Sequence, residues 1–212
     1  ENEKHVVYAY VESRNERSKN IIQQLGFKHI RTFRTIAFSR LKPRRSKGVS
    51  KLQEGEKDSM KKLLASFYAN HTLYSEEFIY HDDRYYVIKE DEEILAGLSV
   101  VPASLRLVDM PGLRGKVLMK LLPLTPGFKK IFRPEELRFM VFEAIWCKEG
   151  KEKSLEKLME SVCAIEGYNL GLTWIDDRSS LYELTETKLN MGALNRMLDS
   201  SPGLVYANFI NY

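Results

Sequence analysis

The sequence predicts an α+β fold in which a mixed, twisted sheet carries helices on both faces. Strand, helix and strand follow one another twice in the 212-residue chain, first between Val6 and Phe38 and again between Phe139 and Ile175. Between these stretches, Arg84 to Leu107 has the alternation of a β-hairpin. A strand–helix–strand unit joins parallel strands and a hairpin joins antiparallel ones, so both pairings must occur in one sheet.

Composition describes an ordinary globular protein, with 43% hydrophobic and 11% aromatic residues and a formal net charge of +4. Such a mild charge, without a basic stripe, argues against a nucleic-acid partner. No apolar stretch approaches the roughly 20 residues of a membrane span, and no signal peptide is recognisable. We therefore expect a cytoplasmic protein without a membrane partner.

The cysteines and histidines give no sign of a metal site. Cys147 and Cys163 lie in a strand-like and a helix-like run, and neither belongs to a metal-ligand pattern. We expect two buried, reduced thiols and no metal. Trp146 and Trp174 are expected in the core.

The first strand–helix–strand unit has clear boundaries. The apolar run from Val6 to Val11 predicts a strand, and Asn15 is a good N-cap for the helix that follows. Gly26 is placed to end that helix in a left-handed conformation. Ile30 to Phe38 then alternates as a strand. A unit of this size is too small to bury a core of its own, so it must pack on something else.

The segment from Arg40 to Lys51 is basic and almost free of apolar residues. Pro43 and Gly48 interrupt it, which predicts an exposed linker. A binding patch for nucleic acid or an acidic partner is the alternative. The remaining predicted elements are helices at Lys57–Asn70, Lys153–Ile165, Tyr182–Thr187 and Met191–Asp199, a short helix or turn at Leu73–Tyr80, and strands at Phe139–Cys147, Tyr168–Ile175 and Gly203–Tyr212.

Glu143 is the charged residue in the otherwise apolar run from Phe139 to Cys147. A buried carboxylate needs a partner or an upward pKa shift, and both are frequent at functional sites. A structural glutamate in a salt bridge near the strand end is the alternative.

The segment Asn15 to Phe27, with Ser three residues after Asn and a closing Leu-Gly-Phe, resembles the last helix of a GNAT-family domain. GNAT proteins are acetyl-CoA-dependent N-acetyltransferases, and in them this segment follows the cofactor-binding half. The resemblance therefore implies that residues 1–43 are the C-terminal half of a first GNAT-like domain. Residues 44–56 would be a basic linker, and residues 57–212 a second GNAT-like domain.

Residues 149–155, between the best strand and its helix, resemble the acyl-CoA loop of the family. Backbone N–H groups at a helix start bind phosphates, and Gly150 and Ser154 keep small residues at two expected positions. Glu149 and Glu152 depart from the family pattern and add negative charge. The resemblance implies cofactor contacts from Cys147, Gly150, Lys151, Lys153 and Ser154; an ordinary strand-to-helix turn is the alternative.

Residues 176–182 resemble the second family signature. The resemblance implies that Asp176 and Ser179 cap a helix beside the cofactor. It also implies that Tyr182 donates a proton to the departing CoA thiolate, and half-buried packing is the alternative role for this ring.

The function implied is transfer of an acetyl group from acetyl-CoA to a primary amine by direct attack, with Glu143 as the proton acceptor. The amine could belong to a small molecule or a peptide: amino acid, polyamine, aminoglycoside, peptide N-terminus and protein lysine all stay open. A catalytically degenerate domain that serves packing, homodimerisation or partner binding is the second hypothesis. The pantetheine would lie between the strands at 139–147 and 168–175, which should therefore diverge.

Overall fold

The computed structural model describes residues 4–71, 74–75, 83–109, 112–125, 127–197 and 202–211. Eight strands form one sheet in the spatial order β1-β8-β2-β7-β6-β5-β4-β3. The strands are β1 Lys4–Glu12, β2 Lys28–Ser39, β3 Val49–Lys51, β4 Tyr85–Glu90, β5 Glu93–Leu105, β6 Leu137–Cys147, β7 Leu170–Asp176 and β8 Gly203–Asn211. The helices are α1 Glu16–Gln24, α2 Lys57–Phe67, α3 Gly112–Leu121, α4 Glu152–Glu166, α5 Ser180–Thr187 and α6 Ala193–Met197.

Helices cover the sheet on both faces, which confirms the predicted α+β architecture. On one face, Met60 and Leu64 of α2 pack against Val87 and Trp146. On the other face, α4 and α5 pack against alternate residues of the same strands, such as Ile88. Adjacent residues of a strand point to opposite faces, so β4 contributes to both cores.

The sheet is mixed, as predicted. The ladder between β6 and β7 is parallel, and the ladders of the other neighbouring strands are antiparallel. Helix α4 connects β6 to β7 and ends at Gly167, which has a φ of 75°. This unit is the predicted β-α-β connection, and its parallel strands follow from the crossover helix.

Residues 4–39 form the predicted strand–helix–strand unit. Asn15 caps α1, because its Oδ1 atom accepts a hydrogen bond of 3.0 Å from the backbone N–H of Ser18. Gly26 has a φ of 82°, as expected for the residue that ends the helix. Strand β2 then enters the sheet between β7 and β8, while β1 pairs with β8. The assignment of this unit to an earlier domain stays a prediction.

The basic segment after β2 is mostly exposed, as predicted, but it is attached to α4 at several points. The Arg40 guanidinium lies 3.0 Å from Glu156 and 3.5 Å from Glu160 on α4. Further along, the backbone N–H of Ser46 donates a 2.8 Å bond to the Ser161 hydroxyl. The segment ends in β3, which pairs with β4. Ion pairs and a hydrogen bond to α4 therefore hold a segment whose composition alone predicted a linker.

Several boundaries differ from the predictions. Helix α2 ends at Phe67 rather than at Asn70, and α6 begins at Ala193 rather than at Met191. The predicted end of that helix at Asp199 lies outside the described residues, and so does nearly all of the short helix or turn predicted at 73–80. No helix in the described part of the chain has the length and apolar character needed to cross a membrane.

Candidate functional site

Strands β6 and β7 cease to pair part of the way along their length, which was the feature expected of a cofactor site, and we call the space between their unpaired parts the groove. The two strands are paired at Met140–Gly171 and Val141–Leu172. Beyond these residues, the described parts of β6 and β7 share no further pairs, although both strands continue to Cys147 and Asp176. Backbone groups of the carboxyl half of β6 are therefore available to a ligand that lies between the strands.

A bulge in β6 lies beside this groove. Ala144 has a φ of 45°, and the pairing register between β5 and β6 shifts at this point. The Tyr85 hydroxyl donates a 3.0 Å bond to the Ala144 carbonyl, and the Tyr68 hydroxyl donates a 2.7 Å bond to the Ile145 carbonyl. A non-glycine residue with positive φ is strained and persists only when its surroundings fix it. The two tyrosines supply that fixation.

Sequence reasoning missed Tyr68 and Tyr85 as contributors to the site. Tyr85 alternates with buried strand residues, so its periodicity indicated only a core position. Burial, and to a smaller extent the nearby Tyr74, raise the pKa of Tyr68. The phenol therefore stays protonated and remains a hydrogen-bond donor to the bulge.

Glu143 is exposed, so the prediction of a buried carboxylate in the central strand is wrong. The residue before it, Phe142, is buried on the opposite face, and Glu143 pairs with Ser99 where the bulge begins. Val101, on the same face of the neighbouring strand, is also exposed, whereas Ser99 directly opposite Glu143 is buried. Because the Glu143 carboxylate is solvated, it needs no buried partner. The argument for a catalytic role of Glu143 from its burial therefore no longer holds.

The predicted phosphate-binding turn lies between β6 and α4. Gly150 has a φ of 76°, and a Cβ atom placed on it would meet nothing within 4 Å. The glycine is therefore required by backbone conformation rather than by close packing. Lys151 is the N-cap residue of α4, but its side chain accepts no hydrogen bond from the N–H groups of the first turn.

The Glu152 carboxylate occupies the start of α4. Its Oε1 atom lies 2.8 Å from the Lys188 Nζ atom, and the side chain is 15% exposed. The Lys188 ammonium holds the pKa of this carboxyl below its usual range, and hydrogen bonds from the backbone N–H groups of Glu152 and Gly150 act in the same direction. The first turn of α4, which was expected to hold phosphate, therefore carries an acidic side chain that is paired with Lys188.

The loop lysines each have an acidic partner. Lys148 pairs with Glu93, and Lys151 lies 3.4 Å from Glu90. Lys153 lies 3.3 Å from Glu156. These pairs are solvated, so each is weak and can exchange for a stronger anionic ligand.

Cys147 and Cys163 are buried and unpaired, as predicted. The Cys147 thiol donates a 3.3 Å bond to the Lys148 carbonyl. Burial raises its pKa to about 11, and the nearby Glu152 carboxylate adds to the shift. Cys147 is therefore a neutral core thiol, and any cofactor contact from this residue has to come from its backbone.

The helix after β7 is capped by Ser179 and not by Asp176. The Ser179 hydroxyl accepts a 3.2 Å bond from the backbone N–H of Tyr182. Asp176 instead accepts a 2.9 Å bond from the N–H of Arg178 and lies 3.4 Å from the Arg31 guanidinium. The similarity to the segment at Asn15 implied a capping role for Asp176. Its carboxylate instead forms an ion pair with Arg31 on β2.

Tyr182 lies in the first turn of α5 and is half-buried against the core that contains Leu181. Helix α5 begins at the carboxyl end of β7, and the residue after it, Lys188, reaches Glu152 at the start of α4. The helix therefore spans from the end of β7 to the end of β6, across the mouth of the groove. Both proposed roles of Tyr182, proton donor and packing residue, fit this position.

The structure brings most of the predicted site residues to one edge of the sheet. Strands β6 and β7 are parallel, so their carboxyl ends meet there, and the following turns meet with them. The residues at this edge are Cys147, Gly150, Lys151, Lys153, Ser154, Asp176, Ser179 and Tyr182. Glu143 lies further back in β6, on the open part of the other face.

Two surface cavities lie away from the groove. One of about 470 Å³ is next to the end of α5 and is lined by residues that include Glu186, Asn190 and Arg196. The other, of about 390 Å³, is lined by Arg106, Asp109, Lys116, Glu135 and neighbouring residues. Among the residues that the structure describes, no group of three His, Cys, Asp or Glu side chains is arranged to hold a metal ion.

No protein-family model matches the chain, and no curated protein matches it in sequence. Solved structures do match in fold. A GCN5-related N-acetyltransferase from Sphaerobacter thermophilus aligns with a TM-score of 0.53 and 10% identity, over 99% of this chain and 61% of that one. A functionally unknown conserved protein from Staphylococcus epidermidis gives 0.52 and 8%, over 96% and 71%.

A third structure, a GCN5-related N-acetyltransferase from Kribbella flavida, has a TM-score of 0.50 and 7% identity, over 95% of this chain and 67% of that one. The chain thus spans less than two thirds of the Sphaerobacter protein. At such low identity the likeness defines the fold alone. The protein has the GNAT acyltransferase fold, and the predicted resemblance is confirmed at that level.

Proposed function

We propose that the chain is an acyl-CoA-dependent N-acyltransferase that transfers an acetyl group from acetyl-CoA to a primary amine. The observation that carries this proposal is the divergence of β6 and β7 beyond Val141 and Leu172, next to the bulge at Ala144. A pantetheine arm presents amide groups along its length, and unpaired strand backbone is a suitable partner for them.

The turn after β6 would hold the pyrophosphate of the donor. Gly150, Lys151, Lys153 and Ser154 surround the start of α4, where backbone N–H groups and the helix dipole favour anions. Cys147 would contribute its backbone, and Asp176 and Ser179 would form the β7 side of the groove. The Glu152 carboxylate in the first turn of α4 would oppose the phosphate by its charge, and Lys188 partly neutralises that charge.

In the reaction, the amine nitrogen attacks the thioester carbon, a C–N bond forms, and the C–S bond breaks. Backbone N–H groups near the β6 bulge would stabilise the thioester oxygen as it gains charge. Tyr182 would protonate the departing thiolate, and Glu143 would accept the amine proton, directly or through water. A phenol hydroxyl carries a proton that it can donate and a carboxylate has oxygen atoms that can accept one, so the two side chains suit opposite roles.

The acceptor is an amine of a small molecule or a peptide, and we place the protein in the cytoplasm. The second cavity, with Arg106 and Lys116 in its wall, lies in the region that we expect to face the acceptor.

We also infer that residues 1–43 are the C-terminal half of a first GNAT-like domain and that residues 57–212 are the second. Every residue of α1 is described and none is buried. Apolar side chains of β1 and α1, among them Tyr10, Ile21 and Leu25, are exposed. An amphipathic helix without buried residues is incomplete as a packing unit, which supports a missing neighbour.

The second candidate is a catalytically degenerate domain that packs, dimerises or binds a partner. The Glu152 carboxylate in the first turn of α4 favours it, since a negative charge there opposes phosphate binding.

Calorimetric titration with acetyl-CoA tests the proposal. Binding should be lost in Ser154→Glu, which puts a carboxylate in the proposed phosphate position, and kept in the control Ser154→Ala. Equal affinity of both variants would refute the cofactor placement. The absence of binding to the unaltered protein, together with no turnover on a panel of amines, would favour the degenerate domain.

A further inference from the structure

We infer that the acceptor enters the groove between Glu143 and Trp174 and is a primary amine with an apolar body and no carboxylate beside the amine. This inference rests on the proposed acyl transfer and adds to it the chemical class of the acceptor. It selects against free amino acids.

Glu143 and Trp174 face each other across the groove. The last paired residues of β6 and β7 are Val141 and Leu172. Glu143 and Trp174 each lie two residues further along, and residues two apart in a strand point to the same face. A molecule that enters from this face therefore meets a carboxylate on one side and an indole on the other.

Trp174 presents an open aromatic surface beside the groove. Its side chain is 71% exposed, and its ring centroid lies 6.5 Å from that of Tyr10. The Phe33 ring lies 6.3 Å from Tyr10 and continues the apolar surface on β2. An exposed indole attracts an ammonium group through cation–π interaction and also covers hydrocarbon. The wall thus suits an amine with an apolar body.

The proposed donor and acceptor reach the groove from opposite faces. Helices α4 and α5 pack on the face that carries Phe142 and Ile175, and Tyr182 belongs to the same core. Glu143 and Trp174 each adjoin one of these buried residues in sequence, so they point to the other face. An amine beside Glu143 can therefore approach the thioester without displacing the donor.

The charges on the acceptor face suit a single ammonium. Strands β5 and β7 contain no lysine or arginine. Arg31 of β2 lies 3.4 Å from Asp176, so the cation and the β7 carboxylate of this region are already paired. A carboxylate on the acceptor would meet Glu143, which has the same sign, and a second ammonium would find no free carboxylate on β7.

The cavity lined by Arg106 and Lys116 lies too far away to contact a small amine at Glu143. It borders the end of β5 where Leu105 pairs with Leu137, the first residue of β6. Glu143 is six residues further along β6, which corresponds to about 20 Å of strand. The cations of this cavity therefore do not offset the repulsion between Glu143 and a carboxylate next to the reacting amine.

The test compares acetylation of phenethylamine and phenylalanine, which differ by one carboxylate. We expect kcat/KM to be about tenfold or more higher for phenethylamine, because the carboxylate of phenylalanine loses water without gaining a partner. Trp174→Leu should raise KM for phenethylamine about tenfold through loss of the ring. The matched control is Phe209→Leu, which removes a 63% exposed ring on β8 and should change KM less than about threefold.

The indole N–H signals in NMR spectra give a readout that does not need turnover. The chain has two tryptophans, and the buried Trp146 is an internal reference for Trp174. Phenethylamine added in the presence of CoA should shift the Trp174 signal and leave that of Trp146 in place. Thermal unfolding midpoints and calorimetry with acetyl-CoA establish that both variants are folded and bind the donor.

The other outcomes separate this inference from the proposed function. If acetyl-CoA binds but phenethylamine is not acetylated, or is acetylated no better than phenylalanine or spermidine, the inference is overturned and the acyl-CoA site stands. A KM that Trp174→Leu raises no more than Phe209→Leu does, or an unshifted Trp174 signal, also overturns it. If acetyl-CoA does not bind at millimolar concentration, the proposed function is wrong and the inference fails with it.

Discussion

Helices α1 and α4 occupy equivalent places in two strand–helix–strand units, yet they differ in what they bury. Six residues of α4 are buried, whereas none of α1 is. Both helices are amphipathic by sequence, so the difference lies in the surface that each one meets. Helix α4 lies on a sheet whose neighbouring strands complete a core, and α1 lies near the edge formed by β1 and β8.

The edge region also exposes aromatic rings on the sheet itself. The ring centroid of Tyr10 lies 6.3 Å from that of Phe33 and 6.5 Å from that of Trp174, which is 71% exposed. The prediction that Trp174 belongs to the core is therefore wrong, while Trp146 is buried as expected. The apolar pattern of a sequence indicates which face of a strand or helix can be buried, but it does not show whether another element covers that face.

Truncation of equivalent side chains should give the largest contrast between the two regions. Leu158 on α4 is fully buried and Ile21 on α1 is 48% exposed, and both lose three carbon atoms on change to alanine. We expect Leu158→Ala to lower the free energy of unfolding by about 2–5 kcal/mol. Ile21→Ala should cost less than about 1 kcal/mol. Urea denaturation measures both, and similar losses would show that α1 is buried in solution.

A glycine in each region provides a second contrast, with a smaller effect. A Cβ atom on Gly171 of β7 would lie 2.2 Å from the Phe142 ring. On Gly203 of β8 it would meet only the Phe33 carbonyl oxygen, at 3.9 Å. Gly171→Ala should therefore cost about 1–3 kcal/mol through overpacking. Gly203→Ala should be near neutral, and a loss of similar size there would contradict the open edge.

Removal of the N-cap side chains of α1 and α5 should distinguish local unfolding of a helix from unfolding of the whole protein. Asn15→Ala and Ser179→Ala each remove a side-chain acceptor at a helix start, and such changes cost about 1 kcal/mol. Helix α5 is packed on the core, so we expect the Ser179 variant to lower global stability. In the Asn15 variant, faster amide hydrogen exchange should be confined to α1. Equal loss of global stability in both would show that α1 unfolds together with the core.

The smallest expected effect concerns the thiols of Cys147 and Cys163, through their alkylation rate and the pH dependence of stability. Burial raises the pKa of Cys147 to about 11 and that of Cys163 to about 12. At pH 8 a pKa of about 11 leaves roughly a thousandth of the thiol ionised, so alkylation should be at least about 100-fold slower than after unfolding. Because unfolding lowers both pKa values, stability should fall as the pH rises from about 9 toward 11. Rapid alkylation of the folded protein at pH 8 would contradict this burial.

Local sequence patterns predicted most elements, because caps and periodicity depend on nearby residues. Asn15, Gly26 and the unit from β6 to β7 are examples. The insertion of β2 between β7 and β8 depends on pairing between distant segments and has no local signal. The contact between Glu152 and Lys188 likewise joins distant segments and has no local signal. The exposure of Glu143 depends on which elements cover its face of the sheet, and local sequence does not indicate them.

Amide-resolved NMR titration with acetyl-CoA tests the central claim, that the groove between β6 and β7 is the acyl-CoA site. The account predicts that the largest shift changes fall on Phe142 to Cys147 and on Gly150 to Ser154. The amides of β1, α1 and β8 should stay unchanged. Changes concentrated on that edge, or no changes at millimolar acetyl-CoA, would contradict the claim.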